Sequence, residues 1–397
     1  MVWEAYLQVR QNGGSAGIDK ESIEMFDANL SANLYKLWNR LGSGSYFPPP
    51  VRTVYIPKKQ GGKRPLGIPT VSDRIAQTVV KQYVEPKLDT LFHSSSFGYR
   101  PGKSAHDAVR QCQQHCRQYA WIIDIDIKGY FDNISHSRLW ALLQTYISDK
   151  WVLMYIKRWL QAGIEQEGGS IVVREKGTPQ GGVISPLLAN LYLHECFDRW
   201  MAESNRHNPF ERYADDIVVH CISKEEAERL MESIRLRMGM YGLELHPEKT
   251  RIVYCKDYRR NGKHENRSFT FLGFDFQPRM RKSARGGRFL CFWPAISKAS
   301  KKGIREQLKT ELLVKDTEQT LEMIASRLNN KLRGWISYYA KFGKWKTYEV
   351  FWYLNKRMIL WVKNKYRIIG LKDGVKKYKE LKQANPGLFY HWRLGIN

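Results

Sequence analysis

Hydrophobic and polar positions change their spacing several times along the chain, and each change predicts a different element. Between residues 22 and 41 the apolar side chains recur every three or four positions, which predicts an amphipathic helix. From Val51 the period becomes two, and this alternation ends at Pro57, before a Lys- and Gly-rich stretch at 58–63. The pattern predicts a β-hairpin with a basic tip.

Short apolar runs and longer helical patterns alternate up to about residue 285. The runs that predict strands are 121–127, 217–221, 251–255 and 269–276. Helical spacing separates them, for example over 186–201 and 224–241. Strands and helices in mixed order favour an α+β fold, with a sheet domain at 1–285 and a helical region at 286–397.

The composition is that of a folded protein with a strong positive charge. Hydrophobic residues make up 43% of the 397 positions and aromatic residues 13%, more than a disordered chain contains. The formal net charge of +26 indicates a polyanionic partner. An anionic membrane would also satisfy that charge, but the sequence has no signal-peptide core and no apolar run long enough to span a bilayer, which favours nucleic acid. The six cysteines are scattered without a CxxC pair, so we expect a reducing cytoplasm.

The last quarter of the chain combines positive charge with aromatic residues. From residue 301 onward there are 22 Lys and Arg and 8 Asp and Glu. Ten aromatic residues fall within 335–361, at spacings that place about half of them in a helical core. Basic and aromatic side chains on helices suit the phosphates and bases of structured RNA. We therefore expect RNA to bind in this region.

Two adjacent acids stand between two short segments at residues 210–220. The order of residue types predicts a strand, a tight turn that exposes Asp215 and Asp216, and a second strand. An Asp-Asp pair is also common in ordinary turns, because the Asp side chain bonds to nearby backbone. Taken alone, this motif favours a structural turn.

A second acidic strand changes that interpretation. Asp124 and Asp126 alternate with isoleucines over 121–127, so both carboxylates point to the same face of an otherwise apolar strand. Like charges on one face of a buried strand are unfavourable unless a cation lies between them. Phosphoryl transfer by two metal ions requires carboxylates that converge in this way.

Several motifs together resemble the reverse transcriptases encoded by bacterial group II introns. The acids lie in Tyr-Ala-Asp-Asp at 213–216 and Asp-Ile-Lys-Gly-Tyr-Phe-Asp at 126–132, and Gly-Thr-Pro-Gln-Gly-Gly occupies 177–182. Ser-Phe-Gly-Tyr-Arg-Pro at 96–101 and Phe-Leu-Gly-Phe at 271–274 match in order and spacing. The resemblance covers nearly the whole chain. It implies a right-hand polymerase with fingers, a ferredoxin-like palm and a C-terminal helical thumb/maturase region.

The resemblance also implies a set of metal ligands. Asp126, Asp215 and Asp216 match the catalytic carboxylates, which with the main-chain carbonyl of Ile127 would bind two Mg²⁺ ions. Asp124 lies two residues before the matching position, and a structural role fits it as well as a catalytic one.

Five further residues match positions that hold the incoming deoxynucleotide: Lys58, Arg64, Phe131, Gln180 and Lys249. Lys58 and Arg64 match finger residues that hold the triphosphate, a role for which the planar guanidinium of Arg is well suited. Phe131 resembles the aromatic gate that excludes a ribose 2′-hydroxyl. The resemblance implies that Gln180 would lie near the nucleotide and that Lys249 would neutralise charge near the metals. The alternatives are a core Phe and exposed surface lysines.

The segment after residue 285 resembles the thumb and maturase region of the family. By that resemblance the residues that contact RNA phosphates are Lys331, Arg333, Lys341, Lys344 and Lys346. Longer members of the family add a DNA-binding segment and a nuclease. The sequence has no Cys pairs after this region, so we expect no endonuclease.

We therefore expect a bacterial, cytoplasmic RNA-directed DNA polymerase that extends a DNA or RNA primer on an RNA template with dNTPs. We also expect it to bind its own group II intron RNA and to assist splicing and mobility. Two alternatives stay open: a host-defence or other domesticated reverse transcriptase without an intron, and an RNA-binding splicing maturase with a vestigial polymerase site. The complete set of acids argues against the second.

Overall fold

The computed structural model describes residues 1–57, 62–166, 168–283 and 286–396, without the side chains of Pro57 and Arg64. The chain divides into two compact units, Met1–Ala108 with Ile123–Ile252 and Val109–Ile122 with Val253–Asn397. The division falls after residue 252 because the strands that follow pack with the C-terminal helices. A functional boundary at residue 285 stays a prediction.

The chain up to residue 252 is rich in helices. They are α1 (Val2–Asn12), α2 (Ile23–Ala28), α3 (Leu30–Gly42), α4 (Val71–Asp89), α5 (Ala105–Gln118), α6 (Tyr130–Asn133), α7 (His136–Tyr146), α8 (Lys150–Gln161), α9 (Ser185–Leu193), α10 (Arg199–Ser204) and α11 (Lys224–Met240). Side-chain caps start several of them: Ser22, Thr70 and Ser223 each accept a hydrogen bond from a backbone N–H of the first turn. The helix predicted over 22–41 is two helices, because the backbone leaves the helical region at Asn29.

The strands form three sheets. They are β1 (Val51–Pro57), β2 (Lys63–Ile68), β3 (Trp121–Asp126), β4 (Ile164–Glu165), β5 (Ile171–Val172), β6 (Phe210–Tyr213), β7 (Asp216–Cys221), β8 (Arg251–Tyr254), β9 (Phe269–Phe271), β10 (Phe274–Lys282) and β11 (Arg288–Ile296). Their orders are β2-β1-β4-β5, β6-β7-β3-β8 and β11-β10-β9. β1 and β2 pair antiparallel from Arg52 opposite Ile68 to Pro57 opposite Lys63, which confirms the predicted hairpin. Its tip, residues 58–61, lies outside the described residues.

The sheet β6-β7-β3-β8 has a ferredoxin-like topology. The chain runs from β3 through helices to β6, turns directly into β7, and returns through α11 to β8. This βαββαβ order, with β3 between β7 and β8, is the split βαβ arrangement. The α+β class and the ferredoxin-like sheet are as predicted. Ile122, Ile123 and Ile125 of β3 are fully buried, which explains its nearly continuous apolar sequence.

The second unit is built on a three-stranded antiparallel sheet and helices. The helices are α12 (Lys298–Glu311), α13 (Leu321–Lys365), α14 (Leu371–Ala384) and α15 (Tyr390–Arg393). They share one core, to which α12 contributes Ile304, α13 contributes Leu328 and Phe351, and α15 contributes Trp392. The described part of the chain contains no helix that is both long and apolar enough to cross a membrane.

The longest helix, α13, is interrupted at Gly343. The backbone there has φ −158° and ψ 66°, outside the helical region. A Cβ at this position would lie 2.8 Å from the Cβ of Ala295, so the close approach of β11 leaves no room for a side chain. The sequence pattern predicted long helices here but did not reveal the break.

Candidate active site

The acids predicted to be catalytic lie on neighbouring strands of the ferredoxin-like sheet. Asp126 is the last residue of β3, and Asp216 is the first residue of β7, the strand beside it. Asp215 precedes Asp216 in the turn between β6 and β7. Because neighbouring strands are about 4.8 Å apart, the sheet brings together residues that are about ninety positions apart in sequence.

The turn that carries Asp215 is tight and closely packed. Tyr213 pairs with Asp216, so only Ala214 and Asp215 form the turn. Ala214 has a positive φ of 58°, a conformation that residues with a Cβ adopt infrequently. A Cβ on Gly98 would lie 2.4 Å from the Ala214 nitrogen, so the backbone of Gly98 supports the turn at van der Waals contact.

A buried arginine holds this turn from beneath. Arg212 is fully buried, and its Nε and Nη2 lie 2.7 and 2.5 Å from the two carboxylate oxygens of Asp198. Its Nη1 donates to the side-chain oxygen of Asn190 and to the carbonyl oxygen of Ala214. A bidentate pair of this kind fixes the plane of the guanidinium and therefore the position of the turn.

Asp198 reaches Arg212 from an irregular helix. The helix predicted over 186–201 is regular in α9, passes into a π-helical turn at His194–Asp198, and continues as α10. The wider turn changes the direction of the side chains within it. Neither Arg212 nor Asp198 was identified from the sequence. An arginine between buried strand positions was the one available signal that a buried acid must lie nearby.

The electrostatics of the site fit a bound cation. Burial raises the pKa of Asp215, and the negative charge of Asp126 raises it further, while Arg212 and Lys249 oppose both effects. The Nζ of Lys249 lies 3.4 Å from Oδ2 of Asp126. A metal ion beside such a carboxylate would stabilise its charged form. The donor set, hard oxygen atoms only, is the one that magnesium prefers.

Asp124 has an arginine as its partner. Its Oδ2 accepts a hydrogen bond from Nε of Arg251 at 3.2 Å. Burial raises the pKa of Asp124 to about 6, against the lowering effect of Arg251 and with a smaller contribution from Asp126. Of the two roles left open for Asp124, these contacts favour the structural one.

The carbonyl of Ile127 points to the edge of β3 that faces β7. The backbone N–H of His246 donates to the Asp126 carbonyl, and that of Lys128 donates to the Glu244 carbonyl, each at 2.8 Å. Ile127 lies between these bonds, opposite Leu245. In an antiparallel ladder such a residue directs its own N–H and C=O to the other edge. The carbonyl is therefore directed to the edge at which β7 begins with Asp216.

The glycine-rich loop at 177–182 joins two candidate nucleotide-binding elements. The N–H of Thr178 donates to the carbonyl of Phe131 in α6, and the N–H of Gly67 in β2 donates to the carbonyl of Gln180. The Gln180 side chain donates to the carboxylate of Asp132 at 3.1 Å. The structure thus brings Gln180 and the segment around Phe131 together, and the Phe131 side chain is half-buried.

A second buried acid, Asp73, anchors this loop. It accepts hydrogen bonds from Tyr46, Trp159 and Gln77 at 2.7–2.9 Å. Gln77 in turn accepts from the backbone N–H of Ile184, just before α9. Burial raises the pKa of Asp73, and the three hydrogen bonds act against that rise. The anchoring role of Asp73 depends on contacts between distant residues, which no local sequence pattern shows.

The structure describes little of Lys58 and Arg64, the two finger residues predicted to bind nucleotide. Lys58 lies outside the described residues. Arg64 is in β2, where its backbone pairs with Ile56, and its side chain is not among those described.

The predicted RNA-binding residues all lie on α13, in the second unit. Two are engaged by acids, Lys331 by Glu311 and Lys346 by Glu349. Arg333 lies over the ring of Tyr390, and Lys344 over that of Tyr348, with ring distances of 5.6 and 5.5 Å. Lys341 is exposed. About half of the neighbouring aromatic residues are buried as expected, whereas Trp345 is 73% exposed.

A ferredoxin-like sheet with carboxylates at the ends of its adjacent central strands is characteristic of right-hand nucleic acid polymerases. The family model described as reverse transcriptase (RNA-dependent DNA polymerase) matches residues 56–276, more than half of the chain. A second, described as group II intron, maturase-specific domain, matches residues 301–379. The chain therefore belongs to the reverse transcriptase family and carries a group II intron maturase domain. The predicted family and class of enzyme, an RNA-directed DNA polymerase, are confirmed, and with them a dependence on divalent metal and an RNA partner.

Curated relatives agree with this assignment. Protein YkfC from Escherichia coli (strain K12) is 33% identical over 308 residues, which cover 68% of this chain and 77% of YkfC. Group II intron-encoded protein LtrA from Lactococcus lactis subsp. cremoris is 29% identical over 344 residues, 70% of this chain and 55% of LtrA. The match thus spans about half the length of LtrA. A solved structure of telomerase from Candida albicans with an RNA fragment aligns with 94% of this chain and 67% of its own, at 13% identity and a TM-score of 0.49, a likeness too low to support an inference.

Proposed function

We propose that this protein extends a DNA or RNA primer on an RNA template with dNTPs, using two Mg²⁺ ions held by Asp126, Asp215, Asp216 and the carbonyl of Ile127. The observation that carries the proposal is the pairing of strands β3 and β7, which places these acids at one edge of the sheet. The raised pKa of Asp215, to which Asp126 contributes, supports a cation between them.

Two bound Mg²⁺ ions would activate the primer 3′-oxygen and stabilise the leaving pyrophosphate. The protein contributes by holding the metal-binding carboxylates in fixed positions. Arg212 and Gly98 hold the Asp215 turn in one conformation, and Lys249 keeps Asp126 partly neutralised before the ions and substrate arrive. A site that is organised in advance need not reorganise when the charge of the transition state develops.

The nucleotide is selected by residues around the glycine-rich loop. Phe131 crowds the sugar 2′ position, and Gln180, oriented by Asp132, lies beside the base pair being formed. Gly181 permits this arrangement, since a Cβ there would lie 2.2 Å from the Gly67 oxygen. Lys58 and Arg64 of the β1–β2 hairpin would hold the triphosphate.

Primer extension on an RNA template tests the polymerase proposal. We expect wild-type protein to incorporate dNTPs with Mg²⁺ and to lose incorporation when the metal is chelated. Asp215→Asn and Asp126→Asn, which each keep the shape of the side chain, should reduce extension to background. Asp149→Asn is the matched control, because Asp149 pairs with Lys87 at the surface. Extension that survives Asp215→Asn would refute the assignment of the acids.

We further propose that the maturase region binds a folded group II intron RNA and so assists splicing and mobility. The match to the maturase-specific domain supports this proposal, as do exposed basic side chains of α13 such as Arg333 and Lys341. The test is the affinity for a group II intron RNA against a random RNA of equal length at equal salt. Arg333→Gln and Lys341→Gln should each weaken binding to the intron. Equal affinity for both RNAs would leave a reverse transcriptase without an intron as the better description.

A further inference from the structure

A cavity of about 670 Å³ in the second unit carries a concentration of positive charge. It lies among the end of α5, the segment 257–260 and the hairpin of β10 and β11. Five basic side chains line it and one acid, Asp257, opposes them. The basic residues are Arg117, Arg259, Arg260, Arg281 and Lys282.

Two of these five basic side chains pair with Asp257, and the other three are available to bind a ligand. Arg260 is largely buried, and it bonds to Asp257 and to the backbone oxygens of Cys116 and Tyr119, so it holds the segment in place. Arg259 also pairs with Asp257. Arg117, Arg281 and Lys282 are exposed, and within the described residues no acid lies within ion-pair distance of them. Their charge is available to a ligand.

Two of the available arginines stack on one tryptophan. The guanidinium carbon of Arg281 lies 3.7 Å from the ring centre of Trp293, and that of Arg117 lies 5.1 Å from it. Nε1 of Trp293 donates to the carbonyl of Phe342 at 2.7 Å, which fixes the indole. The stack orients both guanidinium groups without neutralising them, so their N–H donors stay free for an anion.

A second cavity, of about 600 Å³, adjoins the first at Arg281 and Trp293. Its lining contains Arg279, Lys344 and Lys346 in addition and no acidic residue. Trp345, which lines the second cavity, is 73% exposed, and Tyr258, which lines the first, is 60% exposed. Two exposed aromatic rings therefore stand beside the basic side chains that line the cavities.

We propose that the two cavities form one binding track for single-stranded RNA, with phosphates on Arg117, Arg281, Lys282 and Lys344 and unstacked bases on Tyr258 and Trp345. A basic groove with aromatic platforms is the means by which proteins bind unpaired strands. Bases in a duplex are already stacked and would leave both rings uncovered. An acidic peptide would satisfy the charges but would have no use for the platforms. The inference rests on the proposed function for its choice of RNA, and it adds a binding site whose lining shares Lys344 and Lys346 with the predicted phosphate contacts.

The test uses the full chain and an unstructured 12-nucleotide RNA with a fluorescent end label. Arg117→Gln with Arg281→Gln should lower the slope of log affinity against log salt by about 1.4, since each phosphate contact on a single strand contributes about 0.7. Tyr258→Ala and Trp345→Ala should each weaken binding about tenfold, whereas Tyr258→Phe, which retains the ring, should not. Arg235→Gln is the matched control for loss of charge, because Arg235 is exposed on α11 and pairs with Glu232.

The position of the strand is tested separately by crosslinking with RNA that contains 4-thiouridine. We expect crosslinks to peptides that contain Tyr258 and Trp345. Unchanged salt slopes in the arginine variant, crosslinks confined to other peptides, or equal competition by poly-glutamate, blunt RNA duplex or single-stranded DNA would overturn the proposal. Wild-type protein and the Arg235→Gln control should both extend oligo(dT) on poly(rA). A wild-type protein without that activity would refute the polymerase proposal and leave the crosslinking result to be judged on its own.

Discussion

Arg212 and Asp198 form a bidentate ion pair in which both side chains are fully buried, directly beneath the turn that carries Asp215. The pair links an irregular helix to the end of β6. Because the same guanidinium donates to the Ala214 carbonyl, the stability of the fold and the position of a candidate metal ligand depend on one side chain.

Removal of either residue of the Arg212–Asp198 pair should therefore destabilise the fold. Arg212→Ala removes the bidentate partner of the buried Asp198 carboxylate, and we expect the free energy of unfolding to fall by about 3–5 kcal/mol. Urea unfolding measures this. Lys224→Ala, which breaks the exposed pair with Glu228, is the control and should cost less than about 1 kcal/mol. A small effect of Arg212→Ala would mean that Asp198 reaches another donor or takes up a proton.

The aromatic side chain of Phe131 should control the choice of sugar. Phe131→Ala opens space at the 2′ position, so we expect the preference for dNTPs over rNTPs to fall by about tenfold or more. The measurement is the ratio of kcat/KM for dCTP and CTP on one RNA template. Phe131→Tyr keeps the ring and should keep the preference. An unchanged ratio in the Ala variant would assign Phe131 to the core instead.

Gly181 should not tolerate a side chain. Its φ is +115°, and a Cβ would lie 2.2 Å from the Gly67 carbonyl oxygen, so Gly181→Ala must displace the loop or strand β2. We expect a loss of about 1–3 kcal/mol in stability and a rise in KM for dNTPs. Gly239→Ala in α11 is the matched control, because nothing lies within 4 Å of its Cβ position and Ala favours a helix. Equal behaviour of the two variants would contradict the packing described for the loop.

His391 should make the protein sensitive to acid. Burial lowers the pKa of His391 to about 3, and Lys382 adds to the effect. A folded-state pKa below the ordinary 6.5 means that the unfolded state binds more protons, so stability is full above pH 6.5 and falls as the pH decreases towards 3. The loss from this residue should approach about 1.4 kcal/mol per pH unit below pH 6.

Urea unfolding at pH 7.5, 6 and 5 tests this prediction with His391→Gln, which retains a hydrogen-bond donor for Asn355. The variant should lose less stability than wild type between pH 6 and 5. Parallel pH profiles would show that other groups cause the acid sensitivity.

Local patterns in the sequence predicted the elements that depend on near neighbours. Alternation over 51–57 predicted the β1–β2 hairpin, and the apolar runs at 121–127 and 217–221 predicted strands β3 and β7, which the family resemblance placed in one palm sheet. They did not predict the break at Asn29, the π-helical turn or the turn at Gly273, which divides the strand predicted over 269–276 into β9 and β10. Each of these depends on what the backbone packs against.

The candidate site shows the same limit. The acids themselves were identifiable from residue type and motif, whereas their supports join residues that are far apart in sequence. Lys249 reaches Asp126 across 123 positions and Trp159 reaches Asp73 across 86. Whether a lysine near a turn faces solvent or a carboxylate is decided by the sheet, and no single segment contains that information.

The interruption of α13 at Gly343 determines whether the two halves of this helix can pack in one hydrophobic core. An unbroken helix of its 45 residues would be a rod about 67 Å long, at 1.5 Å per residue. Such a rod would extend well beyond any single cluster of side chains, and its two ends would need separate partners. The break allows Leu328 and Phe351, one from each half, to belong to the same core. One glycine thus lets both halves of this long segment share a single core with three short helices and strand β11.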